Sequence, residues 1–125
     1  MVTADGILGI ARGATPAAVA KAWNTRLSLV GTPGTGCTIA AVRIGKATGY
    51  ALFRHGRLAA VFFEAGARTD RGVTIGSKAA RLAAAYPGIA ARGGSYFAAP
   101  LRFDVDGRGT VIRIGYGDVR STSCL

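Results

Sequence analysis

Two stretches of this sequence match in kind. Gly13-Ala-Thr-Pro-Ala-Ala-Val19-Ala-Lys-Ala-Trp23 and Gly76-Ser-Lys-Ala-Ala-Arg-Leu82-Ala-Ala-Ala-Tyr86 each open on glycine, carry an aliphatic residue at the same place and close on an aromatic ring. A unit that occurs twice restricts the fold to two copies of one element, each burying its apolar side against what lies beside it. Thr15 before Pro16 reads as a helix start, because the threonine hydroxyl can accept from a free amide and proline's fixed φ suits the first helical position. Val19, Ala22, Trp23 and Leu27 then fall on one face, with Lys21, Asn24 and Arg26 elsewhere on the turn. Ser77 is expected to cap a second helix. There Ala79, Leu82, Ala83 and Tyr86 form the apolar stripe, and Pro87-Gly88 ends it.

Each stretch runs on to strand signals. Cys37 to Ile44, Tyr50 to Phe53 and Leu58 to Phe63 read as strands, with Arg54 to Arg57 as a connecting turn. Later, Leu101, Phe103 and Val105 alternate with Arg102 and Asp104 before an Asp106-Gly107 turn, and Ile112 and Ile114 continue the apolar face. The expected fold is α+β: two tandem helix-plus-antiparallel-strand repeats, with the helices packed on one face of a continuous antiparallel sheet. At 125 residues, half of them hydrophobic, the chain is expected to be one domain. Its first repeat covers about 7–64, a polar linker 65–72, its second repeat about 73–117 and a tail 118–125.

Sixteen Lys and Arg against six Asp and Glu give a formal net charge of +10. Such a charge draws a protein towards nucleic acid, anionic lipid, wall polyanions or an acidic protein. Thirteen of the sixteen cations are Arg, and Ala and Gly are abundant, the pattern of a GC-rich bacterial genome whatever the function. Cys37 and Cys124 lie in different repeats, and an even pair in a short chain invites a disulfide if the protein is exported. A secreted or cell-envelope location, with a signal or anchor removed, follows from that pair. No apolar run approaches the roughly 18 to 20 residues of a membrane span.

Gly31-Thr-Pro-Gly-Thr-Gly36-Cys37-Thr38 matches a phosphate-binding loop except at its lysine, where the thiol of Cys37 cannot bridge the β and γ phosphates. A glycine-rich turn between helix and strand explains it as well. His55, the sole histidine, sits at a turn, and no carboxylate pair stands out, since Asp106-Gly107 is turn chemistry. No catalytic residue, cofactor or metal is expected. Arg54, Arg57, Arg68, Arg71, Lys78 and Arg81 gather in mid-sequence and would make one cationic surface if the fold brought them together. Tyr96 and Phe97, beside Gly93-Gly94 and before Pro100, read as an exposed aromatic loop of the kind that anchors a protein partner.

Gly13-Ala-Thr15 with Val19, echoed by Gly76-Ser77 with Leu82 and followed by short strands and an aliphatic hairpin, resembles the tandem-repeat β-lactamase inhibitor proteins of soil bacteria. It is also similar to the small lipoproteins of outer-membrane assembly that carry one such unit. The pattern covers about residues 7–117. The resemblance implies a module without catalytic residues that presents its sheet surface and loops to another protein. The expected function is therefore an exported, non-enzymatic protein-binding module, inhibitor-like or of the envelope, with Tyr96, Phe97, Arg54, Arg57, Arg71 and Arg81 as candidate contacts. Two alternatives stand beside it: a nucleic-acid-binding protein using Arg54 to Arg81, and a degenerate nucleotide-binding protein using Gly31 to Thr38.

Overall fold

Beta-branched and aromatic residues concentrate in short alternating runs, and these runs become strands. The computed structural model describes residues 1–32 and 36–118. Along them lie β1 (Val2–Thr3), β2 (Gly6–Ile7), α1 (Pro16–Ala22), β3 (Val30–Thr32), β4 (Cys37–Ile44), β5 (Ala47–Arg54) and β6 (Arg57–Ala65). There follow α2 (Ala79–Ala85), β7 (Ala90–Arg92), β8 (Ser95–Ala98), β9 (Leu101–Val105) and β10 (Val111–Gly117). Strands β1 and β2 form a small hairpin, and the other eight form one antiparallel sheet in the order β3-β4-β5-β6-β10-β9-β8-β7. Two four-stranded meanders thus meet through their last strands, Phe63 opposite Ile114 and Val61 opposite Tyr116.

This architecture corrects the α+β expectation of two repeats with helices packed as a layer on the sheet. Among the described residues the structure is mostly antiparallel β, with 49% strand and 12% helix. Each helix has seven residues and buries one side chain within its span, Val19 in α1 and Leu82 in α2. The helices are short for local reasons. Asn24 takes a left-handed φ of 47° just past α1, and Pro87-Gly88 stands just past α2. Thr15 caps α1 as expected, its Oγ accepting from Ala18 N at 3.3 Å. Ser77 does not cap α2. The N-cap there is Lys78, without a side-chain bond, and Ser77 Oγ instead accepts from Thr74 N at 2.9 Å.

One face of the sheet carries the main core. Phe53, Leu58, Val61, Phe63, Leu101, Phe103, Ile114 and Tyr116 meet Val19, Trp23, Leu82 and Tyr86 from the helical segments, and Val2 and Ile7 from the hairpin. Trp23 Nε1 donates to Ile7 O at 3.0 Å inside this core, so the hairpin is held by a buried polar bond as well as by packing. The segment expected as a polar linker is partly interior: Ala67 and Thr69 are buried, and Arg68 O accepts from Val2 N at 2.9 Å. Between β5 and β6 the chain reverses at His55 and Gly56, with φ of 52° and 74°, the pair of left-handed residues a type I′ hairpin needs. No described helix is long and apolar enough to cross a membrane.

Candidate functional site

Side chains alternate across a strand, so the residues between the core positions form the opposite sheet face, on which neither helix packs. Paired residues of adjacent strands share a face, and the register therefore lines them up in rows. One row runs Ala41, Tyr50, Phe62, Gly115, Arg102, Phe97, Ala90 across seven strands. A parallel row places Arg113 beside Asp104, Asp104 beside Ser95 and Ser95 beside Arg92. On the other side of the first lies Ile39, Leu52, Ala60, Gly117.

These side chains are held in place by one another. Tyr50 and Phe62 stack with ring centres 5.4 Å apart, and the Arg102 guanidinium lies 5.4 Å from the Phe97 ring centre. Asp104, nearly buried, accepts at Oδ1 from Ser95 Oγ at 2.7 Å and from Arg102 Nε at 2.9 Å. Arg102 Nη2 also donates to Ser95 Oγ at 3.2 Å. Arg113 stands 3.6 Å from both Asp104 Oδ2 and Glu64 Oε1, linking β6, β9 and β10. Burial pushes the Tyr50 phenol above its ordinary pKa, with Arg113 pulling it down and Glu64 pushing it up, so the hydroxyl stays protonated and able to donate at neutral pH. A recess of about 460 Å³ opens at the β7 end of this face, lined by Ala90, Ala91, Arg92, Ser95, Phe97 and Arg102.

Tyr96 and Phe97 lie in strand β8, which corrects the exposed-loop expectation: Tyr96 packs on the main core, and Phe97 joins the apolar cluster of the opposite face. The four candidate arginines fall in two pairs, Arg54 opposite Arg57 across the β5–β6 hairpin and Arg71 with Arg81 at α2. Arg54 is on the opposite face, its Nη1 3.0 Å from Asp118 Oδ2. Arg57 Nη1 donates to Gly13 O at 3.1 Å. Arg71 and Arg81 come together at α2, where Arg71 Nη1 donates to Ala85 O at 2.9 Å with its guanidinium over the Tyr86 ring, and Arg81 Nε donates to Gly72 O at 3.2 Å.

The phosphate-loop candidate falls at the β3–β4 hairpin, so a strand follows it where a phosphate-binding loop needs a helix N-terminus; residues 33–35 lie outside the described residues. Cys37 is disulfide-bonded, and Cys124, its expected partner, lies outside the described residues. Among the described residues, no cluster of three His, Cys, Asp or Glu could hold a metal ion.

Sequence reasoning missed Tyr50, Glu64, Asp104, Arg113 and Arg92 as parts of one surface. The alternation of Arg102 and Asp104 with Leu101 and Phe103 was a readable sign of a polar strand face; the residues opposite them were not readable. What the fold and this face define is an antiparallel β-sheet protein with one face in its core and the other a fixed array of arginine, carboxylate and aromatic side chains. No family model, no curated protein and no solved structure matches the chain.

Proposed function

We propose that this chain is an exported, non-enzymatic binding module that takes an acidic protein surface on the rows of Tyr50, Phe62, Arg102 and Arg113. The observation that supports this reading is the array itself. Its arginines are fixed by Asp104, Ser95 and Glu64 before any partner arrives, so little side-chain entropy is lost on docking. Arg92, Arg102 and Arg113 outnumber Glu64 and Asp104 there, and the net charge of +10 adds long-range attraction for an acidic partner. The resemblance to inhibitor proteins and assembly lipoproteins points the same way, as both present a sheet surface to another protein. Export rests on the cysteine pair.

The test is affinity capture from culture fluid and envelope at low and moderate salt, with three baits: wild type, Tyr50→Ala/Arg113→Glu, and Arg71→Glu/Arg81→Glu. A protein held at moderate salt by wild type and by the α2-side variant, and lost with the Tyr50/Arg113 variant, supports the reading. Retention of nucleic acid alone, vanishing as salt rises, overturns it.

A further inference from the structure

The sheet ends at β7, whose residues Ala90, Ala91 and Arg92 are all exposed and which pairs on one side only, with β8. That pairing fixes where its backbone groups point. Gly94 O accepts from Val105 N at 2.8 Å, so Gly94 faces β9, and by alternation the N–H and C=O of Ser95 and Phe97 face β7. Arg92 and Ala90 are their ladder partners, and the amide and carbonyl of Ala91 between them therefore point away from the sheet. No backbone group among the described residues receives them. An outward N–H and C=O on an exposed strand are the start of a further ladder, the means by which a sheet edge takes an extended peptide as a strand.

Charge selects the peptide. Ala90 and Arg92 stand at the recess of about 460 Å³ at this end of the helix-free face. Ser95 and Arg102 beside them are held by Asp104 and by each other. The exposed Arg92 guanidinium makes no hydrogen bond or ion pair among the described residues. A strand laid beside β7 sets alternate side chains on this face, one beside Arg92 and another, two positions along, beside Ala90. A carboxylate in the first place meets the unengaged cation, and the small Ala90 leaves the recess open to an apolar side chain in the second. A second copy of this chain is a poor occupant, because two β7 edges brought together would set arginine near arginine and join two bodies of net charge +10. Building on the acidic-partner reading above, we propose that β7 is the docking edge for an extended acidic segment of the partner protein. The segment extends the eight-stranded sheet through Ala91, with a carboxylate on Arg92 and an apolar side chain over the recess.

The probe is a Thr-Glu-Thr-Phe-Thr-Glu-Thr peptide, which offers Glu two positions from Phe in either strand direction, and the readout is amide NMR of the whole chain. Several-fold slower exchange at the Ala91 amide is expected, with shifts centred on Ala90, Ala91 and Arg92. Two twins are N-methylated, one on Thr and the other on Glu and Phe; the one whose blocked amides face β7 should bind several-fold more weakly at the same charge. Equal binding of all three peptides overturns strand addition. Arg92→Glu should lose the peptide and bind its Lys-for-Glu twin instead, with native Trp23 emission reporting an intact core. Shifts at Tyr50 and Arg113 with the Ala91 amide unchanged, or no shift at millimolar peptide, overturn the edge. A protein captured equally by wild type and Arg92→Glu, yet lost with Tyr50→Ala/Arg113→Glu, overturns the edge and keeps the face.

Discussion

Arg102 and Asp104 stand two positions apart on one face of β9, with Arg102 Nε donating to Asp104 Oδ1 at 2.9 Å. Their side chains are 19% and 12% exposed, so the pair is shielded from solvent. Ser95 and Arg113 complete the setting of the carboxylate. Removing a shielded carboxylate takes from Arg102 and Arg113 the partner they share while both charges stay partly buried, which costs more than the pair contributes. Asp104→Ala should lower stability by about 3 kcal/mol, measured by urea denaturation. Joint replacement by Arg102→Leu and Asp104→Leu should lower it less, and an additive double-mutant cycle would show that the two do not interact.

Trp23 Nε1 bonds the Ile7 carbonyl at 3.0 Å in the core. Trp23→Phe removes one of two donors to that carbonyl, Ile10 N remaining at 2.9 Å, and opens space beside Ile7, for a loss of about 1 to 2 kcal/mol. Denaturation followed by circular dichroism is the measurement, since the variant has no tryptophan. Equal stability of the two proteins would show that the hairpin does not depend on this bond.

Thr15 and Ser77 were expected to do the same work, and the structure separates them. Thr15→Ala should cost about 1 kcal/mol through loss of the α1 cap. Ser77→Ala should leave α2 unchanged and loosen the Thr74 turn, read as faster amide exchange at Thr74. Equal loss of helical signal in both variants would count against this distinction.

Gly49 lies in β5 against β6, where a Cβ would run into the backbone carbonyl of Phe62. Gly49→Ala should therefore break the local register and cost about 3 kcal/mol. Gly45, with φ of 60° and open space around it, should tolerate alanine at about 1 kcal/mol, the left-handed strain alone. Thermal melts of the two variants compare them directly.

Burial raises the pKa of Tyr50 and Tyr86 above the ordinary value of 10.0, with Arg113 the next influence on Tyr50. The unfolded chain loses these phenolic protons first as pH climbs, so it is the state that gains. The stabilising contribution is thus full below pH 10.0 and is lost as pH rises from there through the folded values. Stability of Tyr50→Phe and Tyr86→Phe should fall less steeply than wild type across that alkaline window. Identical slopes would show that neither phenol is shifted.

Much of the local structure was legible because it depends on near neighbours. Thr15-Pro16 carries its own helix start, Pro87-Gly88 its own stop, and the alternation from Leu101 to Val105 its own strand. The candidate surface was legible only in fragments. Phe97 and Arg54 were singled out and do lie on the helix-free face, and Arg57 pairs with Arg54 across the β5–β6 hairpin, but Arg71 and Arg81 lie at α2. Asp104 read only as the polar side of a strand, because its partners Ser95 and Arg113 belong to other strands.

The sequence by itself determined where the first helix starts, where strands alternate and that the chain is strongly basic, since each is a property of adjacent residues or of their sum. Only the tertiary structure decided that β6 pairs with β10 and that one sheet face gathers Tyr50, Glu64, Asp104, Arg102 and Arg113. The reason is physical. A strand's alternation marks two faces without saying which is buried, and a ladder joins residues far apart in the chain, so the partners of Asp104 exist only once the strands are paired.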